Sequence, residues 1–387
     1  MKKRLFSLLL ALTVLLGVPF PVHGEGAGMP EVSAKAAVVM DALTGRVIFG
    51  KNPAERLPMA STTKIMTALL TLEQPGLDVM FEADEGAIQV EGSSMGLRVG
   101  DMVSLRTLAA GMLLPSGNDA ANAAAVRIAG SISEFVMMMN RRAAQLGLSD
   151  TNFETPSGLD GQNHYTTAKD LALLARAALQ NQYFRDICSQ STMKVSFGNP
   201  PADRWLTNHN RLLKEYEGCI GVKTGFTKKA GRCLVSAAER DGLTLICVTL
   251  NAPDDWADHK ALLDAAFAAL SPAKEPEIPK NVPVAGGTAE TVALKPGGEE
   301  TLFLTEEEAS RLKTEILLPK FLYAPVTAGQ EAGEIRYLLD GETIYTRPLL
   351  AAENVDILEK EPGFWERLLC WWKGLFDGKD EKSDISR

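Results

Sequence analysis

A serine and a lysine three residues apart, Ser61 and Lys64, stand where an apolar, helix-favouring run begins (Pro58-Met59-Ala60-Ser61-Thr62-Thr63-Lys64-Ile65-Met66-Thr67-Ala68-Leu69-Leu70). Three residues of helix turn through about 300°, so the two side chains point to nearly the same side, one turn apart. If its surroundings hold the amine uncharged, Lys64 takes the proton of Ser61, which is the outline of a serine nucleophile with a lysine base. The spacing alone says little, because a chain of this length contains about one copy by accident. A second copy is indeed present, at Ser191-Thr192-Met193-Lys194. There the alternating run Thr192 to Phe197 reads as a strand, on which positions three apart face opposite ways, so Lys194 cannot serve Ser191. Ser61 lies at a helix start, where free N–H groups and the dipole favour developing negative charge.

Two more short motifs follow in the chain. Ser116-Gly117-Asn118 falls in the loop between two apolar helices, a place that aims short polar side chains into a cleft. Lys223-Thr224-Gly225 ends a predicted strand, and its glycine leaves room for a substrate backbone to lie along the strand edge. A positive Lys223 near Lys64 would also help to keep Lys64 neutral.

The elements that must carry these groups read as follows. Residues 36–40 and 46–50 are β-rich runs around Asp41-Ala42-Leu43-Thr44-Gly45 and predict a hairpin. Leu57 to Leu72 reads as the helix of Ser61 and Lys64, and Phe81 to Val99 as Gly-rich loops and short strands. Helices are expected over Ser104 to Leu114, with a serine cap, and over Asp119 to Ala129, apolar nearly all round and hence buried. Ser131 to Leu146, Thr167 to Leu179 and Trp256 to Leu270 complete the helices. Thr192 to Phe197, Gly221 to Thr224, Cys233 to Ala238 and Leu243 to Leu250 are strand-like. Strands bracketing a helical middle predict an α/β domain with one antiparallel sheet and a helical subdomain. At Ser271-Pro272-Ala273-Lys274-Glu275-Pro276-Glu277-Ile278-Pro279 the composition changes to that of a stiff, exposed linker. The alternating residues that follow, with a hairpin turn at Asp340-Gly341, predict a small β-domain.

The 387 residues are enough for two domains. The formal net charge of −9 and the lack of an internal basic run argue against nucleic acid as a partner. Lys2, Lys3 and Arg4 precede an apolar stretch from Leu5 to about Val18, and Val22-His23-Gly24 offers a cleavage site. Residues 1–24 are therefore expected to be a signal peptide removed on export, leaving a mature chain more acidic still. Five cysteines and four histidines show no metal-ligand or redox spacing, so neither a metal site nor a cofactor is expected. Cys233 and Cys247 sit in apolar strand-like runs, where a free buried thiol is the commoner state. One disulfide among the first four cysteines is left open.

On a helical wheel from Phe364, the residues Phe364, Trp365, Leu368, Leu369, Trp371, Trp372, Leu375 and Phe376 fall within an arc of about 160°. Three tryptophans and two phenylalanines on one face suit the bilayer interface. Pro362-Gly363 detaches this segment, and the tail beyond is polar, so residues 362–387 are expected to anchor the protein at the membrane surface by apolar insertion.

Taken together and in order, Ser61-Thr62-Thr63-Lys64, Ser116-Gly117-Asn118 and Lys223-Thr224-Gly225 resemble the signature of the penicillin-binding protein and serine β-lactamase superfamily. The match is closer to the low-molecular-weight penicillin-binding proteins that are serine-type D-alanyl-D-alanine carboxypeptidases. It includes Gly92-Ser93-Ser94-Met95-Gly96, Ser157-Gly158-Leu159-Asp160 and Lys223 through Gly231, and covers nearly the whole mature chain. The resemblance implies a transpeptidase-like catalytic domain over 25–273, a linker and C-terminal β-domain over 274–361, and the anchor helix. It implies removal of the terminal D-alanine from peptidoglycan stem pentapeptides ending in D-Ala-D-Ala, and capture of β-lactams. By the same resemblance Ser61 is the acylated nucleophile and Lys64 its base, Ser116 relays a proton to the leaving D-alanine, and Asn118 binds the peptide amide. Lys223, Thr224 and Thr227 hold the terminal carboxylate, with Gly225 beside them, and the N–H groups of Ser61 and Phe226 form the oxyanion hole. Phe226 departs from the pattern, relatives often carrying histidine there. Alternatives on the same fold are a DD-endopeptidase, a transpeptidase or a β-lactamase. The last would call on Glu154 as the deacylating glutamate, but Gly158 stands where such enzymes carry asparagine. A non-catalytic peptidoglycan or β-lactam receptor would have no need of the full residue set.

Overall fold

The computed structural model describes residues 30–359 and 363–377. The expected signal peptide and the polar extremity of the tail lie outside the described residues. The chain divides between Ala269 and Leu270 into two compact units.

The first unit is built on an antiparallel sheet of five strands, β1 (Ala36–Asp41), β2 (Val47–Lys51), β3 (Cys219–Thr227), β4 (Gly231–Arg240) and β5 (Leu243–Leu250). Their order is β2-β1-β5-β4-β3. Both faces are covered, so the inner strands read as continuous apolar runs and are buried at almost every position. Alternation sorts the residues by face. Val38, Met40, Val235, Ala237, Ile246 and Val248 pack with the helical body. On the other face Ser236 and Thr249 meet His259 at 2.6 and 2.9 Å. The helical body holds α1 (Lys64–Leu72), α2 (Leu105–Leu113), α3 (Asn118–Ala129), α4 (Ile132–Gln145) and α5 (Ala168–Leu179), and His259 belongs to α6 (Asp255–Ala269). Serine caps α2 and α4 through Ser104 and Ser131, and Thr167 caps α5, each accepting an N–H three residues on.

Three differences from the sequence reading have local causes. The α-helix expected from Leu57 starts only at Lys64, and Ala60–Thr63 forms a 3₁₀ turn instead. Thr62 and Thr63 donate their hydroxyls back to the carbonyls of Met59 and Ala60 (2.6 and 2.8 Å), which tightens the turn. The Lys-Thr-Gly motif lies within β3 rather than at its end, since pairing with β4 runs on to Thr227↔Gly231. Short elements at Glu85–Ile88 and Gln182–Cys188 were not anticipated, and Ala202–Thr207 supplies the partner of the Thr192–Phe197 strand. In that hairpin Lys194 pairs with Asp203 at 2.7 Å, away from Ser191.

The second unit is a six-stranded sheet of β6 (Asn281–Ala285), β7 (Thr291–Pro296), β8 (Lys313–Leu317), β9 (Leu322–Tyr323), β10 (Glu331–Leu339) and β11 (Glu342–Ala351). Their order is β8-β10-β11-β7-β6-β9. Asp340 and Gly341, both at positive φ, turn the β10–β11 hairpin as expected. The start of the expected linker is partly structured, because Ser271–Pro272 pairs with Phe303–Leu304. The tail forms α7 (Phe364–Asp377), and its Trp365, Trp371 and Leu369 are exposed. Among the described residues no helix is long and apolar enough to cross a membrane. All five cysteines are free thiols.

Candidate active site

The 3₁₀ turn brings Ser61 half out of the core and sets Lys64, fully buried, beneath it. Lys64 Nζ lies 3.0 Å from Ser61 Oγ, 2.7 Å from Asn118 Oδ1 and 2.5 Å from the Ser157 carbonyl. Burial first, and the neighbouring Lys223 cation second, hold the Lys64 amine well below its ordinary value, against a smaller opposing pull from Asp119. Lys223 is itself buried on β3 and pushed down to about 7. Its ammonium donates to the Thr224 carbonyl at 2.9 Å.

β3 is an edge strand, hydrogen-bonded to β4 on one side and open on the other. It runs against the 3₁₀ turn, and the contact is tight at glycine. A Cβ on Gly225 would stand 3.1 Å from Met59 O, Ser61 N and Thr62 N, all backbone atoms, so the turn itself would have to give by a few tenths of an ångström. Gly158 is constrained more strictly, at φ +85° with its would-be Cβ 2.1 Å from Ala60 O. These two glycines let a strand edge and a loop close on the serine from either side. Phe226 points to the opposite face of the strand from Gly225 and is 66% exposed.

Asn118 opens α3, with its amide Nδ2 donating to the Glu91 carbonyl at 2.7 Å and its backbone N–H to Ser93 O. The reason it stays there is Asp119. That carboxylate accepts the N–H groups of Met95, Gly96 and Leu97 and the Ser94 hydroxyl, all within 3.0 Å, and so clamps the Gly92–Gly96 loop on the helix start. Asp119→Ala would orphan these donors. The expected cost is about 3 kcal/mol in chemical denaturation, with loss of activity beyond the loss of folded protein because Asn118 is released.

The sequence-derived residues are brought together unequally. Ser61, Lys64 and Asn118 form one hydrogen-bonded cluster, with Lys223 electrostatically coupled to it. Ser116 is buried in the α2–α3 turn at φ +63°, a strained position for a serine, yet its hydroxyl bonds neither Lys64 nor Lys223 among the described residues. Thr224 is half-buried on β3. The Thr227 hydroxyl is already engaged, donating to Asp160 at 3.0 Å and accepting the Ala230 N–H. Glu154 accepts the Asn163 N–H at 3.0 Å within its own loop, which leaves no observation that favours a deacylating role.

Two contributors were missed in the sequence. The Ser157 carbonyl left no trace there, since any residue type supplies one. His164 is buried, and its Nδ1 accepts the Glu154 N–H at 2.9 Å, which fixes Nε2 as the protonated nitrogen, 2.7 Å from Thr63 Oγ1. Burial lowers its pKa to about 4, so the ring stays neutral and props the turn from below.

Fold and site define a serine peptidase built on the DD-peptidase architecture. The sequence profile described as D-alanyl-D-alanine carboxypeptidase (peptidase family S11) matches residues 24–254, and the chain belongs to this family. A second profile, the C-terminal domain of penicillin-binding protein 5, matches residues 267–356. The D-alanyl-D-alanine carboxypeptidase DacF of Bacillus subtilis is 32% identical, over 95% of this chain and all of its own length. DacC of Escherichia coli, of the same activity by name, is 33% identical over 88% of this chain and 87% of its own. Penicillin-binding protein 5 of Haemophilus influenzae superposes with a TM-score of 0.64 at 30% identity, covering 86% of this chain and 100% of that one. The protein is a serine-type D-Ala-D-Ala carboxypeptidase.

Proposed function

We propose that the protein removes the terminal D-alanine from peptidoglycan stem pentapeptides through an acyl-enzyme on Ser61, and that β-lactams acylate the same serine. The observation that carries this is the coordination of Lys64. A neutral amine has two N–H groups and one lone pair. The Asn118 and Ser157 carbonyl oxygens take the two N–H groups, which leaves the lone pair for the hydroxyl proton of Ser61. Ser61 Oγ then bonds the carbonyl carbon of the penultimate D-alanine while its proton passes to Lys64. The N–H groups of Ser61 and Phe226 receive the oxyanion. The C–N bond breaks, the departing D-alanine gains a proton by way of Ser116, and water attacks the ester to restore the serine. Lys223 and Thr224 hold the substrate's carboxylate. Thr227 can join them only by giving up Asp160, so its part is to seat the loop of Asp160 against β3. The peptide lies along the open edge of β3, paired through its backbone.

The test is incubation of residues 25–361 with a peptide ending in D-Ala-D-Ala, measuring free D-alanine, beside labelling with fluorescent penicillin. Release of D-alanine and labelling are expected; absence of D-alanine overturns the reading.

The same proposal places the catalytic domain over 25–273, the linker and β-domain over 274–361 and the anchor over 362–387, with residues 1–24 removed on export to the outer face of the cytoplasmic membrane. The exposed aromatic face of α7 supports peripheral anchoring. Deletion of 362–387 is expected to move the protein from the membrane fraction to the soluble one, and retention at the membrane would sink this part.

A further inference from the structure

The end of the β-domain from which the chain departs for α7 carries an apolar surface that the catalytic reading does not use. Val326 and Val355 form a bridge of two hydrogen bonds, each 2.8 Å. From it, residues 321–325 and 356–358 run out on either side of Ala285–Gly287. Tyr323 is in register with Ala285, and the Leu358 N–H donates to Gly286 O. Alternation sends Leu322, Ala324 and Val326 into the core and leaves Phe321 and Tyr323 facing out. Tyr323 is 74% exposed and Phe321 43%. The two rings stand edge to face, with centroids 5.0 Å apart. Ile357 and Leu358 are exposed on the neighbouring segment. Any polar residue would fit these outward positions, so four large exposed apolar residues on the two segments that flank Ala285–Gly287 mark this rim of the domain as a contact surface.

Chain length says what covers it. Leu358 and Phe364 are six residues apart, a span of at most about 20 Å. A helix lying in the bilayer interface therefore keeps this end of the domain within about 20 Å of the lipid headgroups, in reach of contact. We propose that Phe321, Tyr323, Ile357 and Leu358 insert into the same bilayer surface as α7, so that the β-domain is seated on the membrane at two places rather than tethered at one. This rests on the anchoring role of α7 proposed above. Lys320, Asp356 and Glu359, exposed around the patch, are of mixed sign, so the contact is apolar and insensitive to salt.

The experiment is amide deuterium exchange on the mature chain, with and without vesicles of phosphatidylethanolamine and phosphatidylglycerol. Slowed exchange at 321–324 and 357–358, together with 364–377, is the expected result. Slowing confined to 364–377 overturns this proposal and leaves the anchor intact. No slowing anywhere, with the protein unbound, removes the anchor reading and this one with it. Slowing at 321–324 that grows with protein concentration without vesicles assigns the patch to a second copy and also overturns it. As a second measurement, Phe321→Ser with Tyr323→Ser is expected to weaken vesicle binding about tenfold while D-alanine release in solution is unchanged. Equal binding of the variant counts against the proposal.

Discussion

Ser61→Ala is expected to lower D-alanine release by about 10⁴-fold or more and to abolish covalent labelling by penicillin. The thermal unfolding midpoint should hardly move. Ser61 is half-exposed on a turn, and its hydroxyl is not among the bonds that shape that turn, which run through Thr62, Thr63 and His164. Lys64 keeps its Asn118 and Ser157 partners in the variant, so no buried group is orphaned. Residual turnover at the wild-type rate, or labelling that persists, would show that another nucleophile does the work. The spare Ser-x-x-Lys at Ser191 is not a candidate, because Lys194 is engaged with Asp203.

Lys223→Met should change both affinity and pH dependence. Removing one partner of a carboxylate contact in a buried setting costs about 2–4 kcal/mol, or about 30- to 10³-fold in kcat/KM. The pH profile separates this from a general loss of fit. In the wild type, catalysis needs Lys64 neutral and Lys223 charged. The acid limb of kcat/KM therefore reports Lys64 losing its proton, and the alkaline limb reports Lys223, near 7, losing its own. The Lys223 cation pushes the Lys64 pKa down. Without it that pKa rises, so the acid limb should move to higher pH, while the alkaline limb at Lys223 disappears. A Met variant with both limbs unmoved would show that the two lysines are not coupled.

How much of this could be read in the chain depended on the kind of signal. Strands and helices covered on both faces announce themselves by composition, which is why β4, β5 and α3 lie where the apolar runs put them. The hairpin at Asp340-Gly341 was legible because two successive residues at positive φ demand such types. The start of the Ser61 helix was not, because whether Thr62 and Thr63 bond back to their own turn or continue the helix is decided by Gly158, Gly225 and His164 packing against it. Lys64 could be named as a base from its spacing, but the cause of its neutrality is burial, a tertiary property. The Ser157 carbonyl is a main-chain ligand, and sequence does not mark which carbonyl will point where. Thr227 reads as a carboxylate ligand by motif, whereas its hydroxyl is committed to Asp160.

The five free thiols have a consequence for how this protein responds to the redox state of its surroundings. No part of its stability depends on the redox poise of its surroundings. Both domains are held by non-covalent contacts alone, and unfolding curves taken in strong reductant and in air should coincide. Burial also raises the pKa of the Cys233 thiol, to about 12, and that of the Cys188 and Cys247 thiols as well, which starves them of thiolate and makes them poor targets for mispairing while the chain is folded. A molecule made this way does not wait on an oxidant to mature.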